Sequence, residues 1–110
     1  MCAAQSGTPE HHASIKQRFP ELADALDTLG TTVRAAGPLD AKSGHLIQLA
    51  AAASIRSEGA THSHARRALQ EGATPEEIRH TIVLLTSTIG FPTVAAALSW
   101  VDDVLEGNVV

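Results

Sequence analysis

The sequence predicts an all-α fold. Three observations carry this: apolar residues recur at intervals of three and four, no segment alternates as a half-buried strand would, and proline, glycine and capping residues fall at helix-length intervals. A length of 110 residues fits one domain, and 44% hydrophobic with 18% charged residues marks a globular rather than a disordered chain. About five helices are expected.

Residues 1–13 include Gly7, Pro9, His11 and His12, show no period, and read as a flexible N-terminal tail before a single domain over 14–110. Phe19, Leu22, Leu26, Leu29 and Val33 then predict a first amphipathic helix over about 14–36, ended by Gly37-Pro38. Asp40 is a good N-cap for a second helix to about Arg56 that is apolar on most sides and therefore central. Glu58-Gly59 interrupts the pattern. A short helix follows from Ala60 to Gln70, with Gly72 suited to the left-handed turn after it.

Thr74-Pro75-Glu76-Glu77 restarts the chain strongly, with Thr74 as N-cap, Pro75 at the first helical position and Glu77 placed to complete a capping box. That helix, to about Ile89, carries the stripe Ile78, Ile82, Leu85 and Ile89, with Val83 and Leu84 on another side. After Gly90-Phe91-Pro92, the last helix is also apolar on a broad face, through Val94, Leu98, Val101 and Leu105 with Ala97, Trp100 and Val104 beside them. Two-sided apolar helices in so short a chain, with 19 alanines to permit close approach, predict a homo-oligomer; the competing reading is a monomer with generous apolar surface.

Composition also excludes partners. The net charge of −4, scattered arginines and absence of tyrosine argue against nucleic acid, and no apolar run approaches the roughly 20 residues that span a bilayer. Cys2 is the only cysteine, so an intrachain disulfide or CxxC pair cannot form. No basic-then-apolar leader precedes it, and the expected compartment is the cytoplasm.

Leu39-Asp40-Ala41-Lys42, Leu46-Ile47, His64-Ala65, Ala68-Leu69, Gly72-Ala73-Thr74, Glu77-Ile78 and Gly90-Phe91-Pro92, in that order, resemble the carboxymuconolactone decarboxylase family. The likeness covers about residues 38–105, and the superfamily includes the alkylhydroperoxidase D-like proteins. It implies an alkylhydroperoxidase D-like helical bundle assembled as a trimer or hexamer. The peroxidase branch carries a CxxC pair before a histidine and a glutamate on the preceding helix. Here those positions are Ser57, Ala60, His64 and His45, so a thiol peroxidase is excluded. The decarboxylase branch carries acidic residues where this chain has His45 and His80, and a tyrosine where it has Thr88.

His64 is the retained member of that pattern. On a wheel of about 100° per residue starting at Ala60, it falls near 40°, within the apolar arc formed with Ala68 and Ala65. Two readings stand: a general acid or base, since an imidazole exchanges protons near neutral pH, or a core histidine satisfied by a backbone carbonyl. His45 shares a face with Leu49, Ala52 and Arg56, so helix pairing could bring it to His64 as partner. The candidate catalytic residues are therefore His64, His45 and His80, with Arg56 as candidate anchor for a substrate carboxylate. An oligomer contact competes for His80 and a solvated helix end for Arg56. Ser57 and Ser63 lack the turn and orienting acid of a nucleophile and read as solvated, as do Arg66 and Arg67.

His62 lies near 200° on the same wheel, at the margin, about 160° from His64, so one metal cannot readily take both rings. His45, His64 and His80 could supply three ligands, but no spacing demands it. No metal ligand is assigned, and no cofactor is expected. The function expected is an acid/base enzyme, lyase-like, acting without a cofactor on a small lactone or keto acid, the substrate class the resemblance implies. The alternatives are a non-catalytic oligomeric binding or scaffold protein of the same fold, and a histidine-lined metal-binding protein.

Overall fold

A computed structural model describes residues 9–108, with the backbone alone described over 9–13. Residues 1–8, including Cys2, lie outside the described residues, as do the side chains of His11 and His12. The helices are α1 (Pro9–Arg18), α2 (Pro20–Arg34), α3 (Ala41–Ser54), α4 (Glu58–Gln70), α5 (Pro75–Val83), α6 (Thr86–Ile89) and α7 (Phe91–Leu105). No strand occurs among the described residues. All five expected helices are present, two of them divided.

The first is divided at Phe19. A residue before proline is driven from the helical region by the proline ring, and Phe19 takes φ −136° and ψ 67° before Pro20 opens α2. The apolar stripe begins at Phe19 itself, so its period carries no mark of the break. Helix α1 also begins at Pro9, inside the segment read as tail. The fourth expected helix ends at Val83, and α6 adds a single turn before Gly90, at φ 90°, turns the chain into α7.

Local capping explains the remaining boundaries. Asp40 accepts a hydrogen bond from the Ser43 amide at 2.7 Å, and Ser57 accepts one from the Ala60 amide at 3.3 Å, so α4 starts two residues earlier than the pattern indicated. Thr74 and Glu77 form both halves of the capping box. Beyond α4, Gly72 sits at φ 97° and the Ala73 amide reaches back to the Ala68 carbonyl, the longer bond of a Schellman ending.

Helices α3 and α4 form the closest pair, α7 packs on α4 and α5, and α5 returns to α3. Their shared core contains Leu49, Ala53, Ala65, Ala68, Ile78, Ile82, Val94 and Val101, all fully buried. Lys42 Nζ lies 3.1 Å from Glu77 Oε2, joining the starts of α3 and α5, and Arg79 Nε donates to Asp102 Oδ1 at 3.0 Å between α5 and α7. Helix α2 packs mainly on α1, and of its side chains only Ala23 is buried. Phe19, Leu22, Leu26, Leu29 and Val33, the stripe that predicted an amphipathic helix, are each at least 50% exposed. Among the described residues no helix is long and apolar enough to cross a membrane.

Candidate active site

The α3–α4 pair brings His45 and His64 together. His45 is the fifth residue of α3 and is buried; His64 is the seventh of α4 and is partly buried. Their Nδ1 atoms lie 3.3 Å apart, with ring centroids at 5.6 Å and planes inclined by 37°. A bond between two like nitrogens requires one to donate and the other to accept, so the neutral rings must be opposite tautomers. The donating ring then carries a free lone pair on Nε2, and the accepting ring carries N–H there. One base and one acid are thereby available in the uncharged pair.

Both rings are held neutral. Burial is the main cause for His45, reinforced by the positive charges of Arg34 and Arg67 and opposed by Glu71. His64 is pushed down to about 4, first by burial, then by His45, Arg67 and Arg34. The two guanidinium groups act on both rings and can pair with an anion, while the imidazole lone pairs stay available; Asp27 and Glu71 balance their charge across the cleft.

His45 stands on the wall of a cleft of about 440 Å³ where α2 passes the ends of α3 and α4. Leu26, Asp27, Gly30, Thr31 and Arg34 line it from α2, and Arg67, Gln70 and Glu71 from the end of α4. A Cβ at Gly30 would come within 3.2 Å of Arg34 Nη1, so this glycine leaves room for the guanidinium beside the cleft. The lining is mostly polar.

The other candidates are placed elsewhere. His80 is exposed on α5, which contributes nothing to the cleft. Arg56 lies eleven residues beyond His45, about 16 Å along a helix of 1.5 Å rise. It takes φ 58° in the α3–α4 turn and donates to Thr93 Oγ1 at 2.9 Å. Ser57 is occupied as an N-cap. His62, expected at a margin, is fully buried on the opposite side of α4.

Arg34 and Arg67 were the residues missed. Arg67 read as solvated, yet it follows His64 by three positions and the same wheel sets it only about 60° away. For Arg34 no local signal exists, because its place depends on how α2 crosses the bundle.

The comparisons bear on the family and the fold. The model of the carboxymuconolactone decarboxylase family matches residues 20–103, from the first residue of α2 into the last turn of α7. The chain belongs to that family. It is similar to the apo crystal structure of a carboxymuconolactone decarboxylase family protein from Legionella pneumophila, at 26% identity and a TM-score of 0.69, over 84% of this chain and 85% of that one. No curated protein matches the chain. The match extends the expected likeness, about 38–105, back over α2 and hence over Arg34.

Proposed function

We propose that the protein is an acid/base enzyme that moves a proton next to the carbonyl of a small lactone or keto acid bearing a carboxylate. The observation that carries this reading is the contact of His64 with His45, which lines a cleft together with Arg34 and Arg67. The guanidinium groups bind the substrate carboxylate and the enolate oxygen that develops, while Nε2 of His45, whose Nδ1–H is held by Nδ1 of His64, accepts the proton from the carbon beside the carbonyl. The proton returns from the imidazolium to carbon. Arg56 and His80 take no part, and Arg34 and Arg67 replace Arg56 as the carboxylate anchor.

The enzyme works as a homo-oligomer. Support comes from the stripe on α2, whose large apolar side chains are half exposed along a helix that also lines the cleft. A second copy covering that stripe would close the cleft side away from α3.

Binding tests the anchor. The imidazole signals of His45 and His64, followed by NMR while a carboxylated five-membered lactone is added, should shift in a saturable way. Arg67→Gln should weaken that binding about tenfold, matching loss of one charge-assisted bond of roughly 1.5 kcal/mol. Saturation unaffected by both Arg67→Gln and Arg34→Gln would remove the anchor from the account.

A further inference from the structure

On the face of α4 opposite the paired imidazoles, Glu58, His62 and Asp103 meet in an arrangement that proton transfer at His45 and His64 does not use. Glu58 and His62 are one turn apart on α4, and Asp103 comes from α7. The His62 side chain is wholly buried, and among the described residues neither ring nitrogen has a hydrogen-bond partner. Its Nε2 lies 3.4 Å from Asp103 Oδ2 and 3.9 Å from Glu58 Oε2, within ion-pair range of both carboxylates but hydrogen-bonded to neither. A buried imidazole left in this state is costly, since each lost partner forfeits the solvation the ring had in water.

We infer that Glu58, His62 and Asp103 form a divalent-metal site, of the class that takes Zn²⁺, which clips α4 to α7. One donor atom from each residue lies within 4.8 Å of the others. Zinc bonds of about 2.0–2.1 Å at tetrahedral angles set donors about 3.4 Å apart, which is the His62–Asp103 spacing. Glu58 has a side chain 42% exposed, with freedom to move in from 3.9 Å and complete the set. One nitrogen and two carboxylates neutralise a dication, and the exposed carboxylates leave a fourth position to water. The site gives the buried Nε2 a partner. It lies on the other side of α4 from His64, so this metal is structural and the proton-transfer pair remains metal-free.

Zinc titration of the full-length, untagged chain after chelator treatment tests the assignment, using a chromophoric chelator as competitor. One Zn²⁺ should bind per chain, and the zinc-loaded protein should melt at higher temperature than the stripped protein. Asp103→Asn and Glu58→Gln alter half-exposed side chains, so they read the site without the packing loss that His62→Ala risks. Each should lower zinc affinity at least about tenfold. The His45→Gln, His64→Gln double variant should keep wild-type affinity. Binding of less than about a tenth of an equivalent would overturn the inference, as would an affinity insensitive to Asp103→Asn. Loss of binding in the double variant would assign the zinc to the paired imidazoles and overturn it equally.

Discussion

His45 and His64 face each other through the same ring nitrogen, Nδ1 to Nδ1 at 3.3 Å, across the closest helix pair of the bundle. The contact ties an electrostatic property to a packing one. Because Leu49, Ala53, Ala65 and Ala68 fix α3 and α4 in a common core, protonating both rings would set two positive charges side by side.

Acid should therefore weaken the fold through this pair. His64 is held down to about 4, against an unperturbed value near 6.5, so between these values the unfolded chain binds the proton that the folded chain refuses. The contribution of His64 is complete above about pH 6.5 and is lost as pH falls through about 4. In chelator-treated protein, the urea midpoint should decline over that window, and His64→Gln should flatten the decline. An NMR titration placing the His64 midpoint at 6.5 or above would contradict the assignment.

The capping box at Thr74 predicts a stability cost with no effect on the cleft. Thr74 Oγ1 accepts from the Glu77 amide at 3.1 Å and Glu77 Oε1 accepts from the Thr74 amide at 2.9 Å, while the same carboxylate holds Lys42. Thr74→Ala should cost about 1 kcal/mol in denaturant unfolding. Lys42→Ala should cost less than about 1 kcal/mol, because that ion pair is partly exposed. Equal costs would show that the ion pair, rather than the cap, positions α5.

The stripe on α2 predicts association. Leu22 and Leu29 are 50% and 58% exposed, so replacing both by glutamate removes no core contact within one chain. Light scattering should find the wild-type chain as an oligomer and Leu22→Glu, Leu29→Glu as a smaller species with intact helical circular dichroism. A monomeric wild-type chain at micromolar concentration would contradict this reading.

Much of the fold was legible because its signals are local. Asp40, the Thr74-to-Glu77 box and Gly72 each act within one helical turn, and each performs the role its sequence position indicated. The destination of the α2 stripe was not legible. Periodicity reports that Phe19, Leu22, Leu26, Leu29 and Val33 share a face, but not whether that face meets its own bundle. The break at Phe19 was hidden for a related reason, since proline at a first helical position leaves the spacing of apolar residues unchanged.

The site divides along the same line. The His45–His64 contact could be anticipated because both residues lie on inward faces of consecutive helices, and the wheel correctly separated His62 from His64. The wheel cannot supply depth, however, and so set the fully buried His62 at a margin. His80 and Arg56 were selected from identity and register, whereas no residue of α5 lines the cleft and Arg56 occupies the turn at the other end of α3. Arg34 required the crossing of two helices distant in sequence.

Proton exchange at carbon tests the central claim most directly. Carboxylated lactones and 2-keto acids incubated with the protein in D₂O should lose the proton beside the carbonyl, followed by NMR against a protein-free control. His64→Gln and His45→Gln should each slow this loss by about 10²-fold or more, the usual contribution of a positioned acid or base. Thr74→Ala, which leaves the pair and cleft intact, should exchange at the wild-type rate. Exchange no faster than the control across both substrate classes, or equally fast in both histidine variants, would contradict the assignment of His45 and His64 as the proton-transfer pair.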